Sequence, residues 1–238
     1  MQQKQQESIW QNTLKSLYYK PLKVSAEEHK ILLWGCTHFN HDPKWQEPIW
    51  AQRGYESADA HTHGLIQNWN SKASDDTVGF LLGDLMFGMG GSHKLKFLLG
   101  LMKFETLFVN SGNHTAGFHQ LFEECQDNVY EFSNAKRVVF CPNYFEAYLN
   151  GQAMVLSHYP IISYNGQSKG AIHVFSHVHG NLEKSKLGAA YLNSGVIAYE
   201  VSVEKNPYPI SFAELKVLMK EKSGASFDHH DSSTQNSF

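Results

Sequence analysis

Five short apolar runs, Ile31–Trp34, Thr77–Leu82, Thr106–Val109, Ala153–Leu156 and Ile172–Phe175, each stop at a cluster of small and polar residues. Runs of this length without polar alternation fit strands buried on both faces. Helical patterns lie between them, over Ser57–Trp69, His93–Met102 and Phe118–Cys125. The segment Arg137–Leu156 reads as a hairpin, two runs joined at Asn150-Gly151, because Asn-Gly supplies the positive φ angles of a two-residue turn. Alternating strands and helices define an α/β fold.

The residues just past each strand matter most. Gly35-Cys36-Thr37-His38 comes after the first run and Gly83-Asp84 after the second. Gly112-Asn113-His114 succeeds the third, His158 the fourth, and Ser176-His177-Val178-His179-Gly180 the fifth. Open α/β sheets bind ligands beyond the carboxyl ends of their strands. Five strands would therefore bring Cys, His, Asp and Asn side chains to one rim. The adjacent glycines suit tight turns with close backbone approach. From Asp84 to His114 is 30 residues, about one βαβ unit.

The rest of the chain is ordinary. Its 238 residues are 42% hydrophobic and 18% charged, enough for one sizeable core. A net charge of -3 argues against broad wrapping of nucleic acid and gives no strong evidence for a nucleic-acid partner. Cys36, Cys125 and Cys141 form no CxxC pair, which fits a reducing compartment. No apolar run reaches the ~18 residues of a membrane span, and the glutamine-rich start lacks a signal peptide's apolar core. The expectation is a cytoplasmic protein without membrane contact; its oligomeric state is not encoded. Residues 1–29 read as a partly helical extension, with Ile9, Leu14 and Leu17 on one side of a helix over Gln5–Leu17. Residues 30–222 read as one domain, and 223–238 as a disordered tail.

Single histidines are usually hydrogen-bonded core residues, the expectation for His29, His61, His63, His93, His119 and His173. His229 and His230 fall in the tail. His41 stands between a substrate contact and a loop cap. Asp84 and Asn113 could be turn formers, and Cys36 a small packed hydrophobe. Their place in one ordered series favours metal ligation, while Cys125 and Cys141 are expected to pack. Two other chemistries are excluded by the letters. A thiol phosphatase needs Cys-x5-Arg, but Asp42, Glu131 and Ala147 occupy those positions. A metallo-β-lactamase site would continue His-x-His-x-Asp-His, but Asn181 and Leu182 come after His179.

In this order the motifs resemble the calcineurin-like metallophosphoesterase superfamily, whose pattern is D-x-H, G-D, G-N-H-D/E, a lone H and G-H-x-H. The stretches His38-Phe39-Asn40-His41, Arg53-Gly54-Tyr55 and Asn68-Trp69-Asn70 look like its small single-domain branch. Cys36, Thr115 and Ser176 depart from the pattern, replacing Asp, an acid and Gly. The resemblance implies a sandwich of two β-sheets flanked by helices, with a metal site at the carboxyl ends of the strands. It implies two divalent transition-metal ions (Mn, Fe, Ni or Zn), one held by Cys36, His38 and His179, the other by Asn113, His158 and His177, with Asp84 bridging. It implies hydrolysis of a phosphomonoester or phosphodiester by a metal-bound hydroxide, with His114 as general acid, and a phosphate-ester substrate, a nucleotide among the candidates. Two alternatives stay open. One is a catalytically weakened phosphoesterase fold used as a protein-binding module. The other is a nuclease acting on strand ends, for which Lys94, Lys96, Lys184 and Lys186 would have to build a basic groove.

Overall fold

Each of the five apolar runs forms a strand in the computed structural model, which describes residues 20–88, 91–114, 117–222 and 224–225. The helix expected over Gln5–Leu17, Thr115, and the tail apart from Gly224 and Ala225 lie outside the described residues. In chain order the elements are β1 (Leu22–Val24), β2 (Ile31–Gly35), α1 (Ile49–Gln52), α2 (Ala58–Lys72), β3 (Val78–Leu82) and α3 (Gly91–Leu101). Next come β4 (Thr106–Asn110), α4 (Phe118–Glu123), β5 (Val129–Glu131), β6 (Arg137–Phe140), β7 (Tyr144–Leu149) and β8 (Gln152–Ser157). The chain continues through β9 (Ile172–Phe175), α5 (Lys186–Asn193), β10 (Ala198–Glu200), β11 (Ile210–Ser211) and α6 (Phe212–Met219).

The strands form two sheets, ordered β1-β7-β8-β9-β10 and β11-β2-β3-β4-β6-β5. Within the second, β2, β3, β4 and β6 are mutually parallel; in the first, β8, β9 and β10 are. Successive side chains on a strand point to opposite faces. Leu33, Phe80, Leu82 and Phe108 therefore face the other sheet and meet Phe145, Met154, Leu156 and Val174. Their neighbours Leu32, Trp34, Leu81, Leu107 and Val109 face the helices, against Leu65, Trp69, Leu95 and Leu121. Both faces are covered, so the strands read as unbroken apolar runs. Helix α2 starts at Ser57, whose side chain accepts from Ala60 N, and buries Leu65, Ile66 and Trp69. The Trp69 indole stacks on Trp34 at 6.4 Å and donates to Lys103 O at 2.9 Å, so Trp69→Ala would cost about 3–5 kcal/mol. The result is a mixed α/β sandwich, two multistranded sheets flanked by helices.

Two sequence expectations are corrected. The hairpin spans only β7 and β8, paired antiparallel from Tyr144↔Ser157 to Leu149↔Gln152 around Asn150 and Gly151 at φ 49° and 86°. Arg137–Phe140 instead joins the other sheet, parallel to β4. Pro142 explains the split: it cannot donate to a ladder and keeps Cys141 extended, so the chain turns there and crosses between sheets. The boundary at residue 30 also moves, because β1 pairs with β7 through Leu22↔Ala147 and the sheet already begins at Leu22. Among the described residues no helix is long and apolar enough to cross a membrane.

Candidate metal centre

The loops leaving β2, β3, β4, β8 and β9 converge, and every residue expected to ligate metal lies on them. Ligand atoms of Cys36, His38 and His179 all lie within 4.8 Å of one another, as do those of Cys36, Asp84 and His158, and those of His38, Asp84 and His114. Asp84 sits in the middle. Its Oδ2 is 3.6 Å from His38 Nε2 and 3.4 Å from His158 Nε2, while its Oδ1 accepts from Asn113 N at 2.9 Å and His114 N at 2.7 Å. Burial pushes the Asp84 carboxyl up, but His158 and those amides outweigh it and hold the group below its usual range.

The backbone is bent to make this convergence. Cys36, His38, Asp84, His177 and His179 all have left-handed φ, between 45° and 52°. Non-glycine residues seldom adopt it, at a cost of roughly 1–3 kcal/mol each where the conformation is sparsely populated, and such strain clusters at functional sites. Two glycines make room. A Cβ on Gly83 would lie 1.9 Å from His158 Nδ1, and one on Gly112 would lie 2.3 Å from Asp84 Oδ1.

Hydrogen bonds behind the histidines decide which nitrogens face inward. The Ser176 hydroxyl donates to Leu82 O at 2.6 Å, so at 3.1 Å from His158 Nδ1 it must accept from that nitrogen. His158 therefore carries a proton on Nδ1, and its Nε2 faces Asn113 Oδ1 (2.9 Å), His177 Nδ1 (3.1 Å) and Asp84 Oδ2 (3.4 Å). A proton on His177 Nδ1 could satisfy one of these contacts but neither oxygen. His179 Nδ1 likewise donates to Glu204 Oε1 at 2.7 Å, which turns its Nε2 toward His38 Nε2 at 3.3 Å. The other nitrogen of His38, Nδ1, is buried with no hydrogen-bond partner among the described residues. Burial pushes His38 well below the usual histidine range and His177 below it too, so both rings are neutral. The neutral His38 and His177 rings, a carboxylate, an amide oxygen and a sulfur aimed at one another form a donor set that a cation among them would stabilise. These groupings could hold a metal, with outer hydrogen bonds of the kind that orient metal-bound histidines.

Cys36 is fully buried, and its Sγ accepts from His177 N at 3.1 Å. Burial raises its thiol pKa, so deprotonation requires a positive partner. His114 stands at the edge, its ring 5.1 Å from that of His38 and 5.4 Å from Phe87. No described residue hydrogen-bonds the His114 ring, so no carboxylate among them orients it. His41 proves to cap a loop, its Nδ1 accepting from Ile49 N at 3.1 Å, while its ring packs on Phe87. A cleft of about 440 Å3 opens over His38, His41, His114 and His179, walled by Gln52 and Asn181.

The core expectation for single histidines holds for His61 and His173, which are fully buried; His29, His63, His93 and His119 are exposed instead. Cys141 packs in the core and Cys125 against it. Sequence reasoning misses Glu204, which lies outside every strand-end motif. It also misses the role of Ser176, whose hydroxyl sets His158, and that of Arg53, which contacts Glu204 at 2.7 Å.

No protein-family profile matches the chain. It is 32% identical over 103 residues to the uncharacterized protein MJ1445 of Methanocaldococcus jannaschii, covering 43% of this chain and 56% of that one. The chain thus spans about half the length of the curated relative it matches. Among solved structures it is similar to the protein of unknown function AQ665 from Aquifex aeolicus, with a TM-score of 0.56 and 17% identity, over 79% of this chain and 98% of that chain. That likeness extends to the fold, and neither description states an activity.

Proposed function

We propose that this chain is a dinuclear metal-dependent phosphoesterase of the calcineurin-like type. The observation that carries the proposal is the inward aim of the donors. Cys36, His38 and His179 form one grouping, Asn113, His158 and His177 crowd together as another, and Asp84 Oδ2 lies within 3.6 Å of a histidine nitrogen from each. Such a donor set suits divalent transition metals, and the sulfur tilts it toward the softer ones, Zn and Fe. Two bound ions would supply Lewis-acid stabilisation of phosphoryl oxygens and a nucleophile at neutral pH.

The chain's own residues then have separable tasks. Asp84 spans both groupings, and its second oxygen, held by the amides of Asn113 and His114, fixes its orientation. Ser176 and Glu204 set the tautomers of His158 and His179. His114, lining the cleft beside His38 and Asp84, is placed to give a proton to the departing oxygen, worth ~10²–10⁴ in rate. The cleft above it takes the phosphate ester.

Turnover of a panel of phosphomonoesters and phosphodiesters, with Mn, Ni, Zn and Fe supplied separately to metal-stripped protein, tests the proposal. Metal-dependent hydrolysis of at least one class is expected. A protein that binds metal and turns over nothing across the panel would favour a binding module on the same fold.

A further inference from the structure

Arg53 lies just past the single turn α1 and is nearly enclosed, its side chain 6% exposed. A guanidinium carries five N–H donors in a rigid fork. All five have an acceptor here. Nε donates to Glu204 Oε1 at 2.9 Å, and Nη2 to the same oxygen at 2.7 Å and to Cys36 O at 2.8 Å. Nη1 donates to Thr37 O at 3.0 Å and to His61 Nε2 at 2.9 Å. One side chain thus grips the backbone on either side of Thr37, between two residues held at left-handed φ, Cys36 and His38. Through Glu204 it reaches His179, the remaining member of that grouping. None of these contacts touches Asn113 or His158. The Ser176 hydroxyl supports His158 Nδ1 from Leu82 O, and the two groupings meet where His177 N donates to Cys36 Sγ at 3.1 Å.

We infer that Arg53 and Glu204 are a positioning clamp for the Cys36–His38–His179 half of the centre. The inference rests on the two-metal proposal and deepens it: the clamp's bonds reach one grouping only, so that half can be weakened ahead of the other. The clamp works through three effects. Its charge-assisted bonds hold two carbonyls that would otherwise be buried without donors. They keep the strained Cys36–His38 turn from relaxing. They also hold the His179 ring so that Nε2 meets His38. Lysine could not replace Arg53, since three donors on a point charge cannot reproduce five N–H bonds to four acceptors around a rigid fork.

The test uses the full-length protein titrated with cobalt(II), whose bond to a thiolate gives a near-ultraviolet charge-transfer band and so reports on the half that contains Cys36. Wild type should take two cobalt ions and show the band. Arg53→Lys and Glu204→Gln should weaken the band-forming ion by roughly 10–100-fold while the other binds as in wild type. Arg53→Lys preserves charge and Glu204→Gln preserves volume, and circular dichroism of each shows that the fold is retained. Should one fail to fold, the other still decides. If both clamp variants bind cobalt like wild type, or lose both ions alike, the clamp is overturned while two-metal binding stands. Two ions without a thiolate band in wild type would also overturn it, because the Cys36 half would not be built as described. A wild type that takes no cobalt sinks the two-metal proposal itself and the clamp with it.

Discussion

His173 and His177 belong to the same stretch of chain, one inside β9 and the other just beyond it, yet they meet opposite surroundings. His173 donates from Nδ1 to Val155 O at 3.1 Å and accepts at Nε2 from Ile161 N at 3.0 Å, so one tautomer satisfies both nitrogens. His177 presents Nδ1 to His158 Nε2, which already faces Asn113 Oδ1 and Asp84 Oδ2. The first ring is complete without anything further; the second is one of several acceptors with too few protons among them. Burial does not separate a structural histidine from a candidate ligand, since His158 and His173 are equally buried. Whether the partners are donors or further acceptors does.

That contrast can be broken by substitution. Asp84→Ala removes the one carboxylate shared by both groupings, and turnover should fall by on the order of 10³-fold or more with loss of bound metal. Near-normal activity at unchanged metal content would refute the site. His114→Ala should keep the metal and lower turnover by about 10²-fold, most for poor leaving groups. Equal losses for good and poor leaving groups would remove its role as an acid.

Ser176→Ala frees the His158 tautomer and should weaken metal binding by roughly 10–100-fold, read by competition with a chromophoric chelator. An unchanged affinity would mean that Ser176 only fills space.

The smallest effect belongs to His173. Burial lowers its folded-state pKa to about 4, below the 6.5 of an exposed histidine, so the unfolded chain binds more protons between these values. The resulting stability is complete above pH ~6.5 and is lost as pH falls from there toward about 4, by up to ~3 kcal/mol. His173→Gln should flatten that part of the pH profile of chemical denaturation in metal-free protein. A slope identical to wild type would show that His173 does not titrate there.

The five parallel strands and their rim were legible because burial on both faces writes itself as an apolar run, and because the candidate ligands sit directly past those runs. Short elements were not. Leu22–Val24 is three residues long and Ile210–Ser211 two, too few to show a period. The Ser211–Glu214 capping box that starts α6 is a local signal in the sequence, but strand and helix alternation alone does not use it. The hairpin was legible at Asn150-Gly151, whereas the exit of Arg137–Phe140 to the other sheet depends on which partner strand has room, a tertiary choice. Glu204 and Arg53 are 151 residues apart, and no local spacing announces such a contact. Cys36 remained open between packing and ligation because its letter carries both meanings; the structure places it buried and beside His38 and His179.

The central claim, that the converging acceptors hold two metal ions, is tested most directly by anomalous diffraction from crystals grown with Mn or Zn. The account predicts two peaks ~3.5–4 Å apart on either side of Asp84. One should lie among Cys36, His38 and His179, the other among Asn113, His158 and His177. No peak within this cluster at saturating metal would contradict it.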